Sequence, residues 1–152
     1  MNYKHTLVFL TALVFITVFS SCKKDSNQDE IDHNLIVAYA AENQLDGEFT
    51  SSGLYYVISE PGSANHPTTN SQVTVSYRGY KLNGTTFDSG EYVRFYLYQV
   101  IKGWQEGISL IGENGKIKLI IPSDLAYGSS SAGSIGPNEV LVFDVELHFF
   151  LN

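Results

Sequence analysis

The chain has 152 residues, of which 43% are hydrophobic and 13% aromatic, and its formal net charge is −7. This length suits one modest domain with extensions. An acidic chain without a Lys/Arg cluster in its body repels phosphate backbones, which argues against nucleic acid as a partner, and the abundance of Tyr and Phe favours β structure.

Residues 1–21 have the features of a secretory signal, because Lys4 gives a basic start and an apolar run follows from Leu7 to Phe19. That run is too short to span a bilayer comfortably. Cys22 is the only cysteine, so no intramolecular disulfide can form, and the stretch FSSC resembles a bacterial lipobox. We predict that Cys22 is lipidated and anchors the chain at the periplasmic or surface face of a Gram-negative outer membrane. The alternative is an ordinary signal peptide with an incidental cysteine.

A polar stretch and a helix are predicted next. Residues 22–28 lack an apolar period and are predicted to form a flexible tether. Residues 29–52 are predicted to hold a linker and a helix from about Asp29 to Asn43, capped by Asp29 or Asp32. The apolar positions of this helix are spaced for one face: Ile31, Leu35, Ile36 and Tyr39. The helix could pack on the domain as an appendage or could mediate dimerisation.

The segment 53–152 is predicted to form one α+β domain. Its strand patterns are GLYYVIS, VTVSYRGYKL, KIKLIIP and EVLVFDVELHFF, and Asn83-Gly84 is a strong hairpin signal. Helical spacing is confined to KGWQEGISLI. Along the last strand, the residues that alternate inward are Leu141, Phe143, Val145, Leu147 and Phe149. This order predicts a curved antiparallel sheet closed over one short helix.

Motifs for nucleophilic, phosphoryl-transfer or metal chemistry are not recognisable in the sequence. No serine sits in a nucleophile elbow, and no glycine-rich loop joins a strand to a helix in the manner of a phosphate site. The four histidines are scattered without metal-type partners, and His148 falls on the outward set of its strand, which predicts a solvated surface side chain. Hydrolase, phosphotransferase and metalloenzyme functions therefore lack support, and no cofactor or metal is expected.

Four stretches between Val73 and Leu151 carry a family resemblance: VTVSYRGYKLNGTTFDSG, QVIKGWQEGI, GKIKLIIPSDLAYG and LVFDVEL. In this order they resemble the FKBP-type peptidyl-prolyl cis–trans isomerases, and the N-terminal features resemble bacterial lipoprotein members. The resemblance implies about five antiparallel strands wrapped around one short helix, with the ligand between helix and sheet.

The resemblance also implies a pocket with Trp104 as its floor, and Gly103 and Gly107 would let its helix approach the sheet closely. The catalytic residues implied are Tyr77, Asp88, Ile101 and Tyr127. The substrate-binding residues implied are Phe87, Val93, Val100, Trp104, Ile135 and Phe143, with Val93 standing where many members carry an aromatic wall.

Roles for the polar groups follow from the same resemblance. The backbone N–H of Ile101 and the hydroxyl of Tyr127 would donate to substrate carbonyls. Asp88 would be a partly buried carboxylate that orients pocket hydroxyls such as that of Tyr77, and its alternative role is that of a turn or capping residue after Phe87.

The function implied is isomerisation of X-Pro bonds in exported, proline-containing polypeptides, with FK506-type macrolides as inhibitors. The alternative is a proline-segment binding module or chaperone with little or no turnover. Two departures motivate that alternative: Val93, and the Ser-rich loop GSSSAGSIGP, in which Gly136-Pro137 replaces the double proline of many relatives.

Overall fold

The computed structural model describes residues 26–152; the predicted signal segment, Cys22 and the start of the tether lie outside the described residues. The helices are α1, Ser26–Glu42, and α2, Lys102–Ile108, and short 3-10 turns span Leu97–Gln99 and Ser123–Leu125. The strands are β1 (Glu48–Phe49), β2 (Tyr55–Glu60), β3 (Gln72–Lys81), β4 (Thr86–Tyr96), β5 (Gly115–Ile121) and β6 (Leu141–Leu151). Within these residues, no helix is both long and apolar enough to cross a membrane.

The strands form one antiparallel sheet in the order β1-β2-β5-β6-β3-β4. This confirms the predicted fold class, with two-residue β1 added inside the predicted linker. The β3–β4 hairpin turns at the predicted Asn83-Gly84, where Gly84 has a φ of 84°. Such a positive φ is readily adopted by glycine, which has no Cβ to clash with the backbone.

Both faces of the sheet are partly covered by helices. On the inner face, α2 packs in the main core with Leu119 and Ile121. On the outer face, Ile36 of α1 belongs to a second core with Ile120 and Val142. Because helices cover both faces here, the consecutive residues Ile120 and Ile121 are both fully buried, and the sequence at this point is a continuous apolar run rather than an alternation.

The orientation of α1 differs from the prediction. Ile36 is buried and Tyr39 is half-buried, but Ile31 and Leu35 are exposed. The helix begins at Ser26, so Asp32 lies in its second turn and does not cap its start. Asp32 is instead 1% exposed and accepts hydrogen bonds from Ser123. The orientation of α1 therefore places a buried carboxyl group against the 3-10 turn that follows β5.

The end of β6 also differs in part from the prediction. The inward residues from Leu141 to Leu147 are buried as expected, but Phe149 is exposed. A register shift in the β3–β6 pairing, between Thr74 and Val75, reverses the alternation beyond Leu147. As a result Phe150, rather than Phe149, packs against the main core.

His148 lies on the outer face of the sheet, but it is not the solvated surface side chain that the sequence predicted. Its Nε2 is 2.7 Å from the hydroxyl oxygen of Ser76. Its ring stacks on Tyr92 with centroids 4.2 Å apart. The register shift in the β3–β4 pairing opposite Ser76 places Tyr92 next to this position.

Candidate active site

A cavity of about 550 Å³ opens between α2, the inner face of the sheet and the loop that precedes β6. Nine of the ten predicted pocket residues line it: Tyr77, Phe87, Asp88, Val100, Ile101, Trp104, Tyr127, Ile135 and Phe143. The structure adds lining residues that the sequence analysis missed: Phe95, Gln99, Ala132, Gly133 and Ser134. Residues from distant parts of the chain thus surround one concave, largely apolar space, which is the usual character of a small-ligand site.

Trp104 is the centre of an aromatic cluster at this cavity. Its ring meets those of Tyr77, Phe143 and Phe95 edge-to-face, with centroids 5.0, 5.3 and 5.7 Å apart. Such geometry is favourable for aromatic quadrupoles and contributes about 0.5–1.5 kcal/mol per pair beyond burial. The indole N–H is buried and makes no hydrogen bond within residues 26–152. The indole is therefore positioned by packing against neighbouring rings and not by a hydrogen bond from its N–H.

The two glycines beside Trp104 explain how α2 reaches the sheet. A Cβ at position 103 would lie 2.8 Å from Cδ1 of Ile121, and one at position 107 would lie 2.7 Å from Cδ1 of Leu119. Both distances are shorter than any ordinary carbon contact. Gly103 and Gly107 thus permit the close approach that the sequence analysis expected.

Val93 is the predicted pocket residue that the structure does not bring to the cavity. It pairs with Val75 across β3 and β4, and its Cγ2 would be 2.6 Å from a Cβ placed on Gly90. The side chain therefore packs over Gly90. Phe95, two residues further along the same strand face, lines the cavity instead.

The polar groups of the site centre on Asp88. The Tyr77 hydroxyl donates to Oδ2 of Asp88 at 2.8 Å, and the Ser89 N–H donates to Oδ1 at 2.9 Å. Asp88 thus orients the tyrosine from an exposed position, and it lies within strand β4 rather than in a turn. Tyr127 is exposed at the cavity, and Ile101 is the N-cap of α2.

The Tyr77 hydroxyl should have a raised pKa. Burial, followed by the hydrogen bond to Asp88, raises its pKa from 10.0 to about 12. Tyr77 therefore contributes stability that is complete below the unfolded pKa, about 10, and is lost as pH rises through the folded pKa. We expect an alkaline absorbance titration of wild type minus Tyr77→Phe to show one tyrosine with a pKa of about 12. Asp88→Ala should lower that pKa, and an ordinary value in the wild type would contradict the geometry.

A second cavity, of about 460 Å³, lies on the outer face of the sheet. Both of its lysines are in ion pairs: Lys118 with Asp144, which also lines the cavity, and Lys116 with Glu60 beside it at 2.8 Å. Its lining lacks the aromatic cluster of the first cavity. The inner cavity is therefore the better candidate for the active site.

Comparison with known sequences identifies the family. Residues 63–148 match the sequence profile FKBP_C, described as FKBP-type peptidyl-prolyl cis-trans isomerase. The chain is 48% identical over 117 residues, 72% of its length, to a probable FKBP-type peptidyl-prolyl cis-trans isomerase FkpA from Neisseria meningitidis, and covers 43% of that protein. It is 45% identical over 102 residues, 64% of its length, to FkpA from Escherichia coli, and covers 38% of that protein. The chain thus spans about two fifths of the length of these relatives.

Solved structures agree with the sequence comparison. FkpA from Escherichia coli superposes with a TM-score of 0.71 at 38% identity, covering 84% of this chain and 61% of that one. AtFKBP13 superposes with a TM-score of 0.62 at 32% identity, covering 67% of this chain and 96% of that one. Because the matched segment contains α2 and the main part of the sheet, the shared fold includes the cavity walls. The chain belongs to the FKBP-type peptidyl-prolyl cis-trans isomerase family.

Proposed function

We propose that the chain accelerates rotation about X-Pro bonds of exported polypeptides in the cavity beneath α2. The observation that carries this proposal is the aromatic cluster around Trp104, which faces an apolar space large enough for a proline ring. Uncatalysed X-Pro isomerisation takes tens to hundreds of seconds and can limit folding. An isomerase of this kind needs no covalent intermediate and no cofactor.

The physical basis of the proposed catalysis is the electronic structure of the amide. Partial double-bond character gives the rotation barrier of about 18–20 kcal/mol. The planar amide is the more charge-separated form, so a dry aromatic cavity disfavours it relative to the twisted form. Groups that donate only to the rotated carbonyl then lower the barrier selectively. We assign this role to the Tyr127 hydroxyl and the Ile101 N–H, with Asp88 holding the Tyr77 ring in place.

Variants of the polar groups distinguish catalysis from binding alone. We expect Tyr127→Phe to lower kcat/KM about tenfold, because a transition-state hydrogen bond of about 1.4 kcal/mol corresponds to that factor. Asp88→Ala should also lower kcat/KM, because it removes the acceptor that holds the Tyr77 ring in place. Peptide affinity, followed by the fluorescence of the sole tryptophan, should change by less than about twofold, as expected for an interaction made mainly in the transition state.

Tyr98→Phe is the matched control, because Tyr98 is exposed in the 3-10 turn and does not line the cavity. If Tyr127→Phe and Asp88→Ala turn over like Tyr98→Phe, the assigned catalytic roles are wrong. If they lose turnover but retain full function in cells, the second candidate, a proline-segment binding module or chaperone, is the better description. The Ser-rich loop at the cavity is the feature that favours this second candidate.

We further propose that Cys22 is lipidated and holds the domain at the periplasmic or surface face of the outer membrane. Support comes from the sequence alone: the basic start, the apolar run and the small residues before the only cysteine. Multiple acyl chains at one cysteine would give stable anchoring, whereas a single chain binds only marginally. Mass spectrometry should find a lipidated Cys22 in the wild type, and Cys22→Ala should move the protein out of the membrane fraction. An unmodified Cys22 together with identical fractionation of both proteins would refute the anchor.

A further inference from the structure

The loop before β6 forms one wall of the cavity, and Ile135 is its buried residue. Ala132 and Ile135 each donate a backbone N–H to the other's carbonyl, at 3.0 and 2.9 Å. Gly133 lies within this turn with a φ of 59°. The wall is therefore a compact turn, and its position relative to the sheet depends on contacts with residues outside the turn.

An ion pair holds this turn on both sides of Ile135. Nζ of Lys81, the last residue of β3, is 3.0 Å from Oε2 of Glu139. The same Nζ donates to the carbonyl of Ser134 at 2.6 Å, and the N–H of Gly136 donates to the same Oε2 at 2.7 Å. The backbone groups immediately before and after Ile135 are thus each bonded to one member of the pair.

These contacts are stronger than those of an ordinary surface ion pair. The Lys81 and Glu139 side chains are only 19% and 27% exposed, so salt and water screen them less than fully exposed charges. Each hydrogen bond to the loop has one charged partner, which makes it roughly twice as strong as a neutral bond. The pair therefore ties the loop to the end of β3.

The bond from position 136 requires a residue other than proline. A proline at this position would have no N–H to donate, although its ring would restrict the backbone by itself. Gly136 leaves the backbone freer and supplies the donor that Glu139 accepts. The loop is thus restrained at position 136 by a hydrogen bond to the ion pair rather than by a proline ring.

We propose that Lys81 and Glu139 are positioning residues that fix Ile135 against the substrate and so set the preference for the side chain next to proline. This inference rests on the proposed isomerase function of the cavity. When Ile135 is held in place, a substrate leucine that contacts it binds more tightly than an alanine that does not reach it. When the loop is not held by the ion pair, the difference in affinity between the two peptides becomes smaller, because ordering Ile135 then costs conformational entropy on binding.

The test compares two proline peptides that differ only in carrying leucine or alanine before proline. For Lys81→Met and Glu139→Ala, we expect kcat/KM of the leucine peptide to fall about fivefold, mainly through KM, as loss of a charge-assisted contact would give. The alanine peptide should change by less than about twofold, because its side chain does not reach Ile135 and its binding therefore depends little on where Ile135 lies. The leucine-to-alanine ratio is the deciding quantity, since general loss of folded protein lowers both rates equally.

Two comparisons make the test specific. Lys116→Met breaks the exposed Lys116–Glu60 pair on the outer face and should leave both peptides unchanged. In an Ile135→Ala background, Lys81→Met should produce no further change in the ratio. An unchanged ratio in Lys81→Met, or an equal further loss without Ile135, would overturn the proposal.

The experiment also distinguishes failure of the proposed isomerase function from failure of the positioning role of Lys81 and Glu139. If the wild type accelerates neither peptide, the isomerase function is wrong, and the ratio of the two peptide dissociation constants, measured by tryptophan fluorescence, is scored instead. A wild-type preference for leucine that Lys81→Met abolishes would still support the positioning role. A preference that Lys81→Met leaves intact, or no binding of either peptide, would overturn it.

Discussion

Asp32→Ala is expected to lower the free energy of unfolding by about 2–4 kcal/mol, because it leaves two buried donors without an acceptor. The N–H and hydroxyl of Ser123 donate to Oδ2 of Asp32 at 2.7 and 2.6 Å, and Gln28 donates to Oδ1 at 2.7 Å. Ser123 is itself buried, so water cannot easily replace the lost acceptor. Urea unfolding of the variant and the wild type measures the difference.

The same variant should disturb the cavity, because the Ser123 carbonyl accepts the N–H groups of Ala126 and Gly128 at 3.0 and 2.8 Å. These two residues flank Tyr127, so we expect kcat/KM to fall in Asp32→Ala under conditions where the protein remains folded. Glu42→Ala is the control, since Glu42 is exposed on the same helix. Equal stability of the two variants would show that α1 is not anchored through Asp32.

Gly103→Ala and Gly107→Ala are each expected to destabilise the fold by about 1–3 kcal/mol, even though alanine favours a helix by about 1 kcal/mol. The overlap with Ile121 and Leu119 described above outweighs that gain, because well-packed cores do not shift easily. Displacing α2 would also move Trp104, so ligand-induced changes in its fluorescence should weaken.

Double-mutant cycles identify the clash. Gly107→Ala should reduce the free energy of unfolding by less in a Leu119→Ala background than in the wild type. Gly103→Ala should likewise reduce it by less in an Ile121→Ala background. The crossed pairs, Gly107→Ala with Ile121→Ala and Gly103→Ala with Leu119→Ala, are controls and should be closer to additive. Additivity in all four cycles would contradict the close approach of α2 to β5.

The sequence predicted those parts of the site that follow from short motifs. Trp104 lies between Gly103 and Gly107 on a helix that is flanked by strand patterns, so its packing against a sheet could be expected. The β3–β4 hairpin could likewise be predicted from Asn83-Gly84. Local turn geometry decides the hairpin, whereas the role of Gly103 and Gly107 was implied by the family resemblance and depends on contacts with Ile121 and Leu119.

Other features depended on contacts that no local pattern reveals. Asp32 meets Ser123 across 91 positions of the chain, and apolar periodicity instead selected Ile31 and Leu35. Val93 and Phe95 share one face of β4 by alternation, and only the three-dimensional position of the cavity distinguishes them. The register shift that exposes Phe149 depends on the pairing partner, β3, rather than on β6 itself.

The central claim is that the cavity beneath α2 catalyses X-Pro rotation, and the most direct measurement is proline-peptide isomerisation by the soluble chain from Lys23 onward. We predict acceleration above the uncatalysed rate. We also predict that an FK506-type macrolide abolishes it at the same concentrations at which it changes the fluorescence of Trp104, the only tryptophan. A folded protein that gives no acceleration, or one whose activity persists when the macrolide saturates the fluorescence change, would contradict the account.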